Sequence, residues 1–218
     1  MIDHSVLKSK ESSPLLQTRV ERRKEKTRRT LMEVALSLFY EKGIYLTKIE
    51  DVTARADIGK GTFYLYFDTK ESLLQAVLEE GLRRLLVQAT EAAETAKPGP
   101  GRIGAIIRSQ LDFYQDHPEY LLLFHQVCGL LQLQTGSVKE LREVYGRYLN
   151  ELGRLVQPAL TGKGSRTGFP REFGMALSAV TSGLLTHHLL FGKNRVSKRR
   201  RADVEIQIKK SLSALIKE

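Results

Sequence analysis

The chain has 218 residues, a formal net charge of +10, a pI of about 9.7 and a single cysteine. Its length allows a substantial core, as one all-helical unit or as a small module with a larger domain, and the lone cysteine excludes an intramolecular disulfide and a cysteine-rich zinc site. The charge favours a polyanionic partner such as nucleic acid, although a basic surface kept for solubility has the same composition.

The distribution of apolar residues predicts neither a membrane span nor a signal peptide. No apolar run reaches the length of a membrane span, and the N-terminus lacks the apolar core of a signal peptide. We therefore expect a cytoplasmic protein with no membrane partner. Residues 1–19 are polar and are predicted to form a mobile tail.

The first predicted helix begins near Val20 and ends at Gly43. One apolar stripe follows it at helical spacing, formed by Leu31, Ala35, Leu38 and Phe39. Residues 17–29 carry seven Lys or Arg against two Glu. Within it, the basic segment from Arg22 to Arg29 is either an arm that enters the DNA minor groove or an ordinary solvated start of the helix.

Residues 47–70 indicate two short helices joined by a tight turn. Thr47 is a suitable N-cap for the first, and Asp57 lies at the turn, because Asp tolerates the left-handed backbone conformation. Gly59 can cap the second helix. The first turn of that helix offers a cation, a bare backbone and a hydroxyl, at Lys60, Gly61 and Thr62. This arrangement is typical of a recognition helix in the major groove.

The rest of the chain also has helical spacing. Thr69 is predicted to cap a long helix that continues to the Pro- and Gly-rich residues 97–101. Further helices are predicted at residues 102–116, 119–133, 138–160, 170–191 and 202–217, with a Gly-rich loop at 161–167. Nothing alternates with a period of two, so we predict an all-α protein of about nine helices.

The block from residue 31 to residue 74 resembles the DNA-binding domain of the TetR family of bacterial transcriptional repressors. The matching residues are Ala35, Phe39, Gly43, Thr47, Asp51, Ala56, Lys60, Gly61, Thr62, Phe63, Tyr64, Tyr66, Phe67, Lys70 and Glu71. Beyond this block the chain matches only in helical layout and in the turn at residues 116–119. The resemblance implies a three-helix DNA-binding domain at residues 20–70 and an effector-binding and dimerisation domain at 71–218.

The resemblance implies a set of DNA contacts: Thr47, Lys48, Lys60, Gly61, Thr62, Tyr64, Tyr66 and Lys70. Lys60 can reach either base edges or phosphate, and Gly61 lets the backbone approach the duplex. The phenols of Tyr64 and Tyr66 would meet phosphate oxygens while Phe63 and Phe67 pack inward. Lys70 would contact a phosphate, and backbone N–H groups beside Thr47 would hold another.

Three positions depart from the family pattern. Asp57 stands where the family usually has a turn glycine, and Thr53 where it usually has alanine. Gly59 stands where the usual cap is Ser or Thr, so we expect any DNA contact at residue 59 to come from the backbone alone.

The resemblance further implies a homodimer built from the last two long helices of each subunit. Candidate interface residues are Ala176, Ala179, Val180, Gly183, Leu184, His187, Val204, Ile208 and Leu212. Two-fold symmetry predicts a palindromic double-stranded DNA operator with half-site centres about 34–36 Å apart.

Members of the family usually enclose a small-molecule effector among their middle helices. Candidate lining residues are Phe113, Tyr120, Phe124, His125, Tyr145 and Phe173. Taken singly, each of these residues fits an ordinary core position better than a ligand contact. Together they suit a lipophilic or aromatic effector.

The sequence does not match the enzyme motif that it superficially resembles. Residues 59–62 superficially resemble a P-loop, but the motif needs glycine at position 54, which is Ala, and Ser or Thr at position 61, which is Gly. We expect no catalytic residue, cofactor or metal. We also expect a buried thiol at Cys128 rather than a metal site shared with His125, which lies on the same helical face.

The sequence favours a dimeric repressor that an effector releases from DNA. The alternative is a DNA-bound adaptor whose C-terminal domain binds a protein.

Overall fold

The computed structural model describes residues 18–132, 138–160, 170–191, 203–208 and 210. All regular secondary structure in these residues is helical, which confirms the predicted fold class. The helices are α1 (Arg19–Leu46), α2 (Ile49–Arg55), α3 (Lys60–Tyr64), α4 (Lys70–Thr95), α5 (Pro100–Asp116), α6 (Pro118–Leu130), α7 (Val138–Leu160), α8 (Pro170–Phe191) and α9 (residues 203–208). None of the helices in this part of the chain is long and apolar enough to cross a membrane.

Helix α1 begins with a reciprocal cap. The Thr18 hydroxyl accepts from the Glu21 N–H at 3.2 Å, and the Glu21 carboxylate accepts from the Thr18 N–H at 2.7 Å. The predicted apolar stripe of this helix is buried in the core. Residues 19–29 are the first turns of α1, so the basic segment is a helix start rather than an extended arm.

The end of α1 is bent at Gly43, where φ is 86° and ψ is 159°. This backbone conformation is available to glycine at little cost. Beyond the bend Thr47 is fully buried, and its hydroxyl donates to the Gly43 carbonyl at 2.8 Å. The predicted N-cap at Thr47 is therefore wrong. Lys48 holds that position, and its N–H donates to the Asp51 carboxylate at 2.8 Å.

The turn between α2 and α3 follows the sequence expectation. Asp57 has φ 53°, in the left-handed region, and Gly59 is the N-cap of α3 without a side-chain hydrogen bond. Thr53 is buried where the two helices meet, and its hydroxyl donates to the Glu50 carbonyl at 3.1 Å. The threonine is accommodated because its own helix satisfies the hydroxyl.

Helix α4 connects the helix-turn-helix to the C-terminal bundle. Its predicted N-cap is confirmed, since the Thr69 hydroxyl accepts from the Ser72 N–H at 3.0 Å. It packs on α1 at one end and on α5, α6 and α7 further along. At Gly81 the ring of Tyr120 lies so close that an added Cβ would come within 2.4 Å of it.

The C-terminal bundle depends on an equally close contact between α7 and α8. A Cβ at Gly174 would lie 2.4 Å from the Leu149 carbonyl oxygen and 2.9 Å from the Gly153 nitrogen. Helix α9 is attached to α5 by an ion pair of 3.0 Å between Glu205 and Arg108. The predicted loop at 161–167 lies outside the described residues.

Candidate nucleic-acid interface

Helix α3 has an apolar inner side and a polar outer side. Phe63 and Phe67 are buried, with ring centroids 6.0 Å apart, as predicted. Tyr64 points outward with 46% of its surface exposed, whereas Tyr66 is half-buried against the core. The phenol of Tyr64 is thus the more accessible of the two.

The first turn of α3 is open to a large partner. Lys60 and Gly61 are exposed and Thr62 is half-buried. A Cβ added at Gly59 or Gly61 would meet no atom within 4 Å. The start of the helix therefore presents bare backbone on which another molecule can come close.

Glu50 of α2 holds the cation at the start of α3, a contact that the sequence reading missed. The Lys60 ammonium donates to the Glu50 carboxylate at 2.6 Å. This hydrogen bond raises the pKa of Lys60 and lowers that of Glu50. Both side chains are more than half exposed, so solvent screens the pair and its contribution to stability is small. In the sequence, the sign of this ion pair is that an acid, Glu50, and a cation, Lys60, stand on either side of the tight turn between α2 and α3.

Two more ion pairs tie the end of α1 to α2. Lys42 bonds Asp51 at 2.6 Å, and Arg55 bonds Glu41 at 2.6 Å. These contacts lower the pKa of both acids, mainly through the hydrogen bonds from Lys42 and Arg55. They brace the orientation of α2 rather than offering free cations to a ligand.

Lys70 has a different role from the one predicted. Its ammonium donates to the backbone carbonyls of Ile44 at 3.0 Å, Thr47 at 3.0 Å and Tyr45 at 3.4 Å. A lysine ammonium has three donors, and here each meets a carbonyl at the end of α1. The predicted phosphate contact is therefore not supported, because Lys70 caps α1 from the start of α4. The sequence could not reveal this, since the partners lie 23 to 26 residues away.

Gln126 of α6 joins the C-terminal bundle to the bend in α1. Its side-chain oxygen accepts from the Ile44 N–H at 2.8 Å, and its amide nitrogen donates to the Phe39 carbonyl at 3.2 Å. The residues leading into the helix-turn-helix are thus held by one side chain from α6 and one from α4.

The basic start of α1 projects cations into solvent. Residues 19–26 are exposed, whereas Arg28 is half-buried with its guanidinium 5.2 Å from the centre of the Phe67 ring. This cation–π contact connects the basic segment to the core beneath α3.

The predicted effector residues divide into three groups. Phe113, Tyr120 and Phe124 are buried and adjacent, with ring centroids 5.8 and 5.9 Å apart along the series. Tyr145 and Phe173 are half-buried on α7 and α8. His125 is exposed, so its assignment to an internal pocket is wrong.

The exposed face of α6 also corrects the prediction for the single cysteine. Helix α6 buries Leu121, Phe124 and Val127, whereas His125 and Cys128 are exposed. Cys128 is exposed rather than buried. Within the described residues no group of three or more His, Cys, Asp or Glu is positioned to hold a metal ion.

The predicted dimer residues of α8 lie on its outer side. They range from half-buried to exposed and comprise Ala176, Ala179, Val180, Gly183, Leu184 and His187. On α9, by contrast, Val204 and Ile208 are buried within the subunit, so their assignment to a subunit interface is wrong. Among the described residues of α9, the large apolar side chain that faces solvent is Ile206, at 50% exposure, and Leu212 lies outside the described residues.

Comparison with known proteins places this geometry in a family. The sequence pattern of "Bacterial regulatory proteins, tetR family" matches residues 31–77. The chain is 36% identical over 130 residues to the uncharacterized HTH-type transcriptional regulator YvdT of Bacillus subtilis, covering 60% of this chain and 65% of that protein. It is 28% identical over 129 residues to the HTH-type transcriptional repressor KstR2 of Rhodococcus jostii, covering 54% and 61%. The chain thus spans less than two thirds of the length of these relatives.

Solved structures share the fold over more of the chain. The transcriptional regulator FadR from Bacillus subtilis, in complex with stearoyl-CoA, superposes with a TM-score of 0.70 at 15% identity, covering 84% of this chain and 96% of FadR. At that identity the likeness concerns the fold alone. The sequence match over the helix-turn-helix carries the assignment: residues 31–77 are a DNA-binding domain of the TetR family of bacterial regulatory proteins.

Proposed function

We propose that this protein is a DNA-binding transcriptional regulator that acts as a homodimeric repressor on a palindromic operator. The observation that carries the proposal is the outer face of α3. There a cation, a bare backbone, a hydroxyl and an exposed phenol, at Lys60, Gly61, Thr62 and Tyr64, lie over the buried Phe63. A recognition helix needs this combination of an anchored inner side and a polar outer side.

The proposed DNA contacts are a subset of the predicted ones: Lys48, Lys60, Gly61, Thr62, Tyr64 and Tyr66. Lys60 exchanges its Glu50 partner for a base edge or a phosphate when DNA binds. The exposed cations at the start of α1 add attraction to the backbone of the duplex, which is independent of sequence and weakens with salt.

The proposed dimer uses the outer side of α8. Small residues along that side, such as Ala176, Ala179 and Gly183, allow two helices to approach closely. A Cβ at Gly183 would meet no atom of the described chain within 4 Å, which leaves room for a partner helix. Ile206 adds an exposed apolar side chain on α9.

Release from the operator is proposed to follow binding of a lipophilic or aromatic effector in the C-terminal bundle. The buried ring cluster of Phe113, Tyr120 and Phe124 supports an apolar ligand, and the structural neighbour FadR was solved with stearoyl-CoA. Tyr120 lies against Gly81 of α4, the helix that leads to the recognition helix. Such an effector must bind the DNA-incompetent conformation more tightly, since equal affinity for both conformations shifts nothing.

The test is selection of DNA from a random double-stranded pool by the purified full-length protein, followed by sequencing. The expected result is an enriched palindrome that binds one dimer, measured by electrophoretic mobility together with light scattering. Enrichment of no sequence over random DNA would overturn the proposal of a specific regulator. A non-palindromic site bound by a monomer would overturn the dimer.

A further inference from the structure

Helices α5, α7 and α8 bring uncharged polar side chains together inside the C-terminal bundle. Gln110, Tyr148 and Ser178 are 1%, 4% and 2% exposed. The Gln110 amide nitrogen lies 3.2 Å from the Tyr148 hydroxyl, and the Tyr145 hydroxyl lies 3.5 Å from that of Ser178. We call these four residues the polar cluster. None of them was predicted from the sequence to bind a ligand except Tyr145.

The polar cluster is incompletely satisfied. The side-chain oxygen of Gln110 has no hydrogen-bond partner among the described residues. Turning the amide round would leave its nitrogen unpartnered instead, so one end of the group is unused in either orientation. Thr181, one turn beyond Ser178 on the same side of α8, is fully buried with its hydroxyl unpartnered in the same part of the chain. Buried polar groups are normally paired, so these indicate a missing partner.

Burial is the main influence on the ionisation of the two phenols in the polar cluster. Burial raises the pKa of Tyr148 well above its usual value, with a further contribution from Tyr145, while a hydrogen bond with Ser178 opposes the shift. Burial likewise raises the pKa of Tyr145, with Cys128 and Ser178 as its other influences. Both phenols therefore remain neutral hydroxyls at any physiological pH.

Tyr114 connects the polar cluster to the buried aromatic rings. Its ring meets those of Phe113 and Phe124 edge to face, with centroids 5.7 and 6.1 Å away. It lies one helical turn beyond Gln110 on the same face of α5. Burial raises the pKa of Tyr114, and Tyr148 and Tyr145 raise it further. The buried aromatic rings therefore adjoin the uncharged side chains of the polar cluster.

We propose that the polar cluster binds the uncharged polar end of the effector, an amide or hydroxyl that pairs with Gln110 and Tyr148, while the aromatic rings hold its apolar body. This inference rests on the proposed function for the existence of an effector. A carboxylate or ammonium at this end would be buried against four side chains that carry no opposite charge, which is far less favourable than burying a neutral group that can hydrogen bond.

The experiment compares three probes of equal chain length: decanamide, decanoate and decylammonium. Affinity is measured by calorimetry, and thermal unfolding provides a second readout. We expect decanamide to bind about tenfold or more tightly than either ion, because only the amide enters without an unpaired charge. Equal or tighter binding of either ion, or no binding of decanamide, would overturn the inference.

Two variants test whether decanamide binds at the polar cluster. Gln110→Leu keeps the volume and removes the unpartnered amide, so the protein should stay folded while decanamide affinity falls about tenfold. Tyr148→Phe should act in the same direction. Gln75→Leu is the matched control, because Gln75 lies outside the polar cluster and its amide bonds Glu79 on its own helix. If Gln110→Leu raises the melting temperature but leaves decanamide affinity unchanged, the amide is merely a packing defect and the inference falls.

The outcome is separable from that of the proposed function. Probe binding is measured on the protein alone, whereas the regulator is tested by DNA selection. Decanamide binding that depends on Gln110 supports the inference even if no DNA is enriched. Specific DNA binding without decanamide binding removes the inference and leaves the regulator intact.

Discussion

Lys60 and Lys70 lie ten residues apart in the helix-turn-helix region, and they have opposite roles. Lys60 is exposed at the start of α3, where its ammonium bonds the exposed carboxylate of Glu50. Lys70 is half-buried at the start of α4, where its ammonium meets three backbone carbonyls. The ammonium of Lys60 is therefore accessible to a ligand, whereas that of Lys70 is used to cap α1. Neighbours, not residue type, decide which.

This contrast extends to the whole molecule. The outer face of α3 consists of groups that a polyanion can use directly, whereas the interior is held by close helix contacts and by side chains that satisfy distant backbone groups. Substitutions on the outer face should therefore change DNA binding and leave stability intact. Substitutions in the interior should do the reverse.

The interior is most sensitive at Gly174. Gly174→Ala would put a Cβ against the Leu149 carbonyl, so α7 and α8 would have to separate. We expect the free energy of unfolding to fall by about 3 kcal/mol, measured by urea denaturation. The control is Gly146→Ala on α7, where an added Cβ would lie 3.9 Å from a nitrogen of the flexible Arg171 side chain. There the higher helix propensity of alanine should raise the free energy of unfolding by about 0.5–1 kcal/mol. Equal effects of the two substitutions would refute the close helix contact.

Removal of the Lys70 ammonium tests the comparison between the lysines most directly. Lys70→Met keeps the aliphatic stem and leaves the carbonyls at the end of α1 without their donor. The free energy of unfolding, measured by urea denaturation, should fall by about 2 kcal/mol. The paired control is Lys60→Met, which should leave stability unchanged. If Lys70→Met keeps full stability but lowers the salt dependence of DNA binding by about one unit, Lys70 is a phosphate contact after all.

For Lys60 the effect should appear only in DNA binding. Lys60→Ala should weaken operator binding about ten- to hundredfold if the ammonium pairs with a guanine edge. The measurement is a titration of labelled operator and of random DNA at one salt concentration. Equal losses on both DNAs would reassign Lys60 to phosphate.

The smallest expected effect belongs to Glu50. Glu50→Gln frees the Lys60 ammonium and removes a negative charge beside the duplex, so affinity for random DNA should rise by less than about fivefold. Because the hydrogen bond from Lys60 lowers the pKa of Glu50, the pair is fully present above the ordinary glutamate pKa and is lost only as the pH falls through the lowered one. Affinity of the unmodified protein should therefore be flat near neutral pH. A fall in affinity for Glu50→Gln would indicate that Glu50 positions Lys60.

Sequence alone determined what depends on local pattern. Apolar spacing predicted the helices, and the backbone preferences of Asp57 and Gly59 predicted the turn and the start of α3. The inward rings of Phe63 and Phe67 followed from the family resemblance and are buried. These features involve residues close in the chain, so their determinants lie within a short window of sequence.

Tertiary structure alone decided the features that join distant residues. Thr47 is buried because α1 bends at Gly43, and Lys70 caps α1 because α4 begins beside its end. Val204 and Ile208 face inward because α9 packs back onto its own subunit, which no helical periodicity can indicate. A helix pattern states which residues share a face; the packing of the other helices determines whether that face meets water, a partner or the core.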